Sequence, residues 1–528
     1  MVDEPTVRPA HRMKRAPGRR SAPTPSSGPS SGTARRGPVL VAIVALLALG
    51  GLADRGASAR PAIAAPVAPV PMAGPSGALS SEWFCAGAMD EAGSGSAGSV
   101  VVANPTGTPI TGTITFMPGG AAATVPVALR VAAGSRQVIP ESSPAGRAWI
   151  GAVVELDGGA ATVEQQIDGP LGEAASPCAT SGSARWYFST GTTLRDASDE
   201  LSLLNPYPAD AIVDLSFATN DGVEEPNAFQ AIFVPARSLV AVDLGSHLRR
   251  RASIATTVAV RTGRVVAWQT QVVTPPANGT PIVGAPNPAP SYGPIDPALP
   301  VGGVELTLGA PSPATKWWWP DGAAGGGVTE QYVVYNPGTA TAQLRLTYGL
   351  DQGGAQPVAV TVGPASVVSV TTNSQSQVPV GAAHDATLAS TNGVPVVAER
   401  VVTALAPSPR TGLGALLGGR LAADRWLLGA GSDTAHVDEW VEVQNPGDLP
   451  VTASIAAVTA GGPVTLGGLQ HLVVPPRGRL AVQLAKHVRR PFGGALAVTA
   501  SGPIVVERDL YGIGAPGIDL ALAVPLSP

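Results

Sequence analysis

The chain has 528 residues, enough for three to five domains. Only 13% of the residues are charged, and 64 Gly and 53 Pro break up long helices. A net charge of −4 argues against a general nucleic-acid binder, and nothing in the composition specifies an activity.

Residues 1–37 hold eight basic groups against Asp3 and Glu4 in a background of Pro, Ser, Gly and Ala. Such a tail buries too little apolar surface to offset ordering entropy, so it reads as disordered and cytoplasmic. Residues 38–53, from Pro38 to Ala53, carry no charge. Their length falls between a signal-peptide core and a full membrane span. The preceding basic residues orient everything after about residue 53 outside the cytoplasm. An uncleaved signal anchor, forming one N-terminal transmembrane helix, is the favoured reading. Cleavage near Ala59, at Ala57-Ser58-Ala59, with secretion of the remainder, is the alternative. Residues 54–81 are an Ala/Pro-rich spacer.

Beyond the spacer, three markers recur four times. A Trp-led triplet follows a charged residue at Trp83, Trp186, Trp317 and Trp426. An Asn-Pro pair follows at Asn104, Asn205, Asn336 and Asn445. A closing strand then carries Glu164, Gln269, Glu399 or Glu507. Between these markers apolar residues alternate with polar ones, as in Val213-Asp214-Leu215-Ser216-Phe217. That alternation is the period of a half-buried strand, and Asn-Pro marks turns. The expectation is an all-β tandem array of about four immunoglobulin-like β-sandwich modules. They span 82–169, 185–273, 316–403 and 425–528, and a Pro-rich linker occupies 274–315. Within that linker, 303–309 looks strand-like and is expected to pair with a neighbouring module. A four-bladed propeller is the rival, set back by modules about twice the length of a blade.

These marks resemble an uncharacterised family of bacterial exported or membrane-anchored proteins, a domain-of-unknown-function family with tandem modules. The resemblance rests on Trp317, on Asn336-Pro337, on Val234-Pro235-Ala236-Arg237-Ser238, and on Val396 to Arg400. The first module departs most, with Glu164-Gln165 in place of Glu-Arg and Cys85 inside its Trp triplet. The resemblance implies fold and export and assigns no site residue.

Two cysteines, Cys85 and Cys178, lie beyond the apolar segment. In an oxidising compartment they are disulfide candidates, with two buried free thiols as the alternative. Trp317, Trp318 and Trp319 cannot all face one core, because neighbours on a strand point to opposite sides. Trp318 is expected to face out or to meet another module, as an intermodule contact or a ligand platform. His436-Val437-Asp438 is too sparse for a metal site. His247 and His487 occupy equivalent repeat positions, which inherited structure explains. Glu224-Glu225 and Asp438-Glu439 suggest charged surface, and Gly325-Gly326-Gly327 a turn without the lysine of a phosphate loop. No nucleophile elbow is present. No catalytic residue, cofactor or metal is therefore expected. The expected function is a non-enzymatic structural or interaction protein of the cell envelope. Its expected partners are an envelope protein or wall polymer, the membrane through the N-terminal helix, and no nucleic acid. Carbohydrate binding through exposed aromatics is the alternative.

Overall fold

Each leading Trp lies on a strand whose alternate residues point inward: Trp83, Trp186, Trp317 and Trp426 are buried, as are Cys85, Phe188, Trp319 and Leu428 two residues on. In this computed structural model, which describes residues 70–89, 96–141, 149–274, 301–351 and 353–527, these are the opening strands of four modules. The strands are Ser81–Met89, Arg185–Phe188, Lys316–Trp319 and Ala423–Leu428. The fold is all-β, built of antiparallel sheets, with no α-helix among the described residues. The basic tail, the Pro38 to Ala53 segment and most of the spacer lie outside the described residues. No helix among the described residues is long and apolar enough to cross a membrane.

Every module repeats one plan of two facing sheets. In the second module the opening strand pairs with Ile254–Thr262, which pairs with Ala211–Thr219. The second sheet runs Ser238–Asp243, Ala197–Asn205, Val266–Val273 and Gly303–Leu308. The first and third modules follow the same order. In the fourth, the 17-residue strand Leu496–Gly512 passes through both sheets and merges them. The first two strands of a module lie in opposite sheets. In the immunoglobulin order they are neighbours in one sheet, so the modules are sandwich-like with a different strand order.

The module's Asn does more than mark a turn. All four are fully buried. Asn336 Nδ2 donates to the carbonyls of Ala340, Val362 and Gly363 at 2.8, 3.0 and 3.0 Å, and its Oδ1 accepts from Gly338 N at 3.0 Å. Asn104 makes the same turn bonds and both cross-sheet bonds, and Asn205 and Asn445 make the same turn bonds and one cross-sheet bond each, to the Val234 and Val474 carbonyls. The following Pro has no N–H, so the Asn oxygen is left to cap the next residue's amide.

The strand expected within the linker, Gly303–Leu308, does pair with a neighbouring module. It pairs with Val266–Val273 and is the fourth strand of the second module's own sheet. Its equivalents Gly172–Pro177, Gly412–Leu417 and Ile518–Leu522 pair in the same way with the closing strands of their modules. These four inner strands pack first on second, second on third, third on fourth and fourth on first. The array is therefore closed into a ring rather than open. Glycine permits the approach: a Cβ on Gly172 would lie 2.7 Å from the Gly517 Cα, and one on Gly303 2.6 Å from the Leu413 Cβ. The modules remain two-layered, but ring closure by inner strands is a trait that the propeller reading carried.

Candidate functional site

The polar chemistry of the chain concentrates at the seams between modules. Its source is the closing strand. Adjacent residues on a strand point to opposite sides, so one reaches the preceding module and the next reaches the following one. Register identifies the equivalents. The residue opposite the position three before the module's Asn is Glu164, Trp268, Glu399 or Glu507. The residue opposite the position four before is Gln165, Gln269, Arg400 or Arg508. Gln269 thus holds the arginine position, and Trp268 holds the glutamate position. This corrects the grouping of Gln269 with the three glutamates, which had matched residue type across a one-residue difference in spacing.

At the seam of the third and fourth modules, Arg400 Nη2 meets Glu507 Oε1 at 2.5 Å. Arg479 bridges Glu442 Oε2 at 2.6 Å and Asp321 Oδ1 at 2.8 Å. Behind them His384 Nε2 lies 2.8 Å from Glu330 Oε1, both fully buried. Burial works against the His384 charge, but Glu330 outweighs it and the pKa is raised. At the seam of the fourth and first modules, Arg508 Nη1 meets Glu164 Oε2 at 3.0 Å and donates to the Ala430 carbonyl at 2.5 Å. Its Nη2 lies 3.4 Å from Asp519 Oδ2. Glu164 Oε1 also accepts from Gly429 N and Ala430 N at 2.6 and 3.0 Å. Arg136 donates to the Gly431 carbonyl at 2.7 Å. Arg136 and Arg479 are register equivalents, each opposite the residue before its module's Asn.

The other two seams lack these cations. Leu239 and Val367 stand at the Arg136 position. Between the first and second modules, Trp268 joins one continuous core that serves both modules, while Gln165 donates to Glu141 Oε1 at 2.6 Å and accepts from Gly87 N at 3.1 Å. Between the second and third, Glu399 accepts from Ser189 N at 2.7 Å and from the Thr190 hydroxyl, with Gln269 where an arginine stands elsewhere. Burial raises the Glu399 pKa.

The residues singled out from sequence sit as follows. Cys85 and Cys178 are bonded, with sulfurs 2.04 Å apart. Their equivalents in the second and third modules are Phe188 with Gly309 and Trp319 with Gly418. There an added Cβ would lie 2.7 Å from the ring in each case. The disulfide therefore occupies the place of an aromatic ring packed on glycine. Trp317 and Trp319 are fully buried and donate to the Val396 and Leu416 carbonyls at 3.1 and 3.2 Å. Trp318 is half-buried, with Lys316 Nζ 4.9 Å from its ring centre, and its backbone pairs with Gly419. Glu224 is paired with Arg251 at 2.6 Å and Asp438 with Arg490 at 2.7 Å. Among the described residues one carboxylate trio, Asp321, Glu442 and Asp509, converges closely enough for a metal. Arg479 already bridges two of its members, and burial lifts the Asp509 carboxyl to about 6 with Arg400 opposing.

An all-β protein whose sheets recur on one plan and whose charges lie between modules is the class that this geometry defines. The chain belongs to DUF5719, a family of unknown function, whose model matches residues 142–410, just over half of the sequence. No curated protein matches it. Among solved structures, the Thermotoga maritima protein 1070 is similar at 21% identity over 20% of this chain and 95% of its own, with a TM-score of 0.19. The Anabaena sensory rhodopsin transducer is similar at 21% identity over 17% of this chain and 88% of its own, with a TM-score of 0.16. Neither likeness supports an inference about this chain.

Proposed function

We propose that the chain is a non-enzymatic structural and interaction protein of the bacterial cell envelope. In this reading the Pro38 to Ala53 segment tethers it to the membrane, and the ring of modules stands outside the cytoplasm. Its sandwiches serve as immunoglobulin-like modules do, as rigid bodies that present surface to partners, although their strand order differs. One observation carries the reading: the Glu and Arg side chains of the closing strands join module to module. Glu164, Glu399, Arg400, Glu507 and Arg508 are all buried in seams and engaged there. Buried ion pairs contribute specificity of assembly more than stability, which suits a scaffold that must keep one shape. The partner is an envelope protein or wall polymer, with no nucleic acid and no cofactor.

The carbohydrate alternative needs exposed rings: Trp317 and Trp319 are fully buried, and Trp318 is half-buried with Lys316 over its face. The test uses the full-length chain in its own membrane. Protease added to intact spheroplasts is expected to degrade the modules. Crosslinking in intact cells is expected to capture a defined envelope protein, or the purified chain to co-sediment saturably with isolated wall polymer. Modules protected until the membrane is opened would overturn the topology. A chain that neither crosslinks nor sediments would overturn the scaffold reading.

A further inference from the structure

The seam of the second and third modules is built like that of the fourth and first, with its cations removed. Around Arg508 stand three acids: Glu439 six residues before the module's Asn, Asp519 on the inner strand, and Glu164 from the next module. The same three positions around Gln269 hold Asp199, Glu305 and Glu399. Gln269 Nε2 donates to Asp199 at 2.8 Å and brings no charge. At the Arg136 position this seam has Val367. Three buried carboxyls thus share a site with no arginine. Burial, then Glu399 and Asp199, push Glu305 up to about 8, while its equivalent Asp519, beside Arg508, reaches about 6.

An open cleft meets this site. It is a small opening of about 70 Å³ between the two modules. Glu305 lines it, only 5% exposed, and its Oε1 has no hydrogen-bond partner. Thr190, whose hydroxyl binds Glu399, lines it as well, with Gln271 beside Glu305. Leu194, Val301 and Leu413 supply apolar walls. Arg195 stands at the rim, its side chain 86% exposed and 3.7 Å from Asp196. The equivalent seam that keeps its arginine has a cleft at the same place, lined by Glu173, Leu510 and Asp519, and there Arg508 Nη2 stands 3.4 Å from Asp519 Oδ2.

We propose that this cleft binds an organic cation, an alkylammonium or alkylguanidinium group that enters between the modules and takes the place of the missing arginine. The aliphatic part lies on the Leu194, Val301 and Leu413 walls, and the charged end meets Glu305, the one carboxyl among the described residues that lines the cleft. A metal ion fits less well. The three carboxyls do not bring their oxygens within ligating reach of one another, as the Asp321 trio does. A buried carboxylate takes a hydrogen-bonding, delocalised cation on favourable terms. The site stands apart from the envelope reading and does not depend on it.

Isothermal titration calorimetry of the purified full-length chain with agmatine tests it, with magnesium chloride titrated in parallel. One agmatine per chain is expected, and magnesium is expected to give no heat of binding. Glu305→Gln should weaken agmatine at least about tenfold, since a hydrogen bond to a charged group carries that much. Gln269→Arg, which restores the residue found in the third and fourth modules, should weaken it at least as much and raise the unfolding midpoint. Wild-type protein silent at millimolar agmatine would overturn the proposal. So would magnesium binding lost in Glu305→Gln, or undiminished agmatine binding by either variant. Should Gln269→Arg fail to fold, Glu305→Gln decides alone. Arg195→Ala is expected to leave binding within about twofold, and stronger binding by that variant would show Arg195 to be the resident cation.

Discussion

Two seams of this ring hold buried arginines and two do not, although the backbone plan is the same at all four. Between the fourth and first modules Arg508 ties Glu164 to Asp519, and Arg136 adds a bond to a backbone carbonyl. Between the first and second the same positions hold Gln165, Trp268 and Leu239, and the cores fuse. Either solution closes a seam. Ion pairs need every partner present, because a lone buried charge costs far more than the pair contributes. The first–second seam needs volume and the Gln165–Glu141 hydrogen bond, with no buried cation to match among the described residues. The second–third seam keeps the acids and lacks the arginines, which makes it the place where the two solutions collide.

The largest expected effect follows from removing one partner. Arg508→Ala leaves Glu164 and Asp519 buried without their cation and should cost about 3–5 kcal/mol. Gln269→Ala, at the equivalent position, removes one neutral hydrogen bond and should cost only about 1–2 kcal/mol. Urea midpoints of both variants check the contrast, and equal losses would dissolve it. The buried Asn is next and should not distinguish the seams. Asn205→Ala and Asn336→Ala each strand several backbone groups, at about 2–4 kcal/mol. A large difference between them would mean that the modules are not equivalent in their turns either.

Much of this is legible along the chain, and the exceptions share a cause. The four-fold recurrence, the period-two strands, the buried Trp and the Asn turn rest on contacts within one module, so spacing reveals them. The inner strand Gly303–Leu308 is visible as a strand, but its allegiance to Val266–Val273 is not, because 29 residues separate them. The seams are harder. Arg508 lies 344 residues from Glu164, and only ring closure unites them. The misplacement of Gln269 arose from chemistry outvoting register. A Gln looks like a Glu, and a Trp at the glutamate position does not. Aligning Val265-Val266-Ala267-Trp268-Gln269 with Val396-Val397-Ala398-Glu399-Arg400 by their shared Val-Val-Ala would have put both residues in place.

A smaller effect contrasts the staple of the first module with its aromatic counterpart. Gly418→Ala would set a methyl group 2.7 Å from the Trp319 ring and should cost about 1–3 kcal/mol by overpacking. Ala523→Gly, at the same position in the fourth module beside Leu428, should cost about 1 kcal/mol, through a small cavity and a freer backbone. Thermal melts of the two variants order them, and a silent Gly418→Ala would remove the case for an aromatic ring seated on glycine.

The smallest and most local test uses pH. Burial holds Glu305 and Asp199 near 8, well above their values in an unfolded chain near 4. Between those limits the folded state binds more protons than the unfolded one. Stability therefore falls as pH rises from about 4 through 8. Asp321 and Glu330 run the other way. Burial opposes their charge, but Arg479 and His384 outweigh it and hold both carboxyls below their usual range, so their contribution is lost only as pH falls beneath 4. Without added cation, the melting midpoint should peak on the acid side of neutrality and drop toward pH 8. Glu305→Gln should flatten part of that drop, because the amide cannot lose a proton. A variant with the same slope as the parent would mean that Glu305 is ionised in the folded seam, with a cation already beside it.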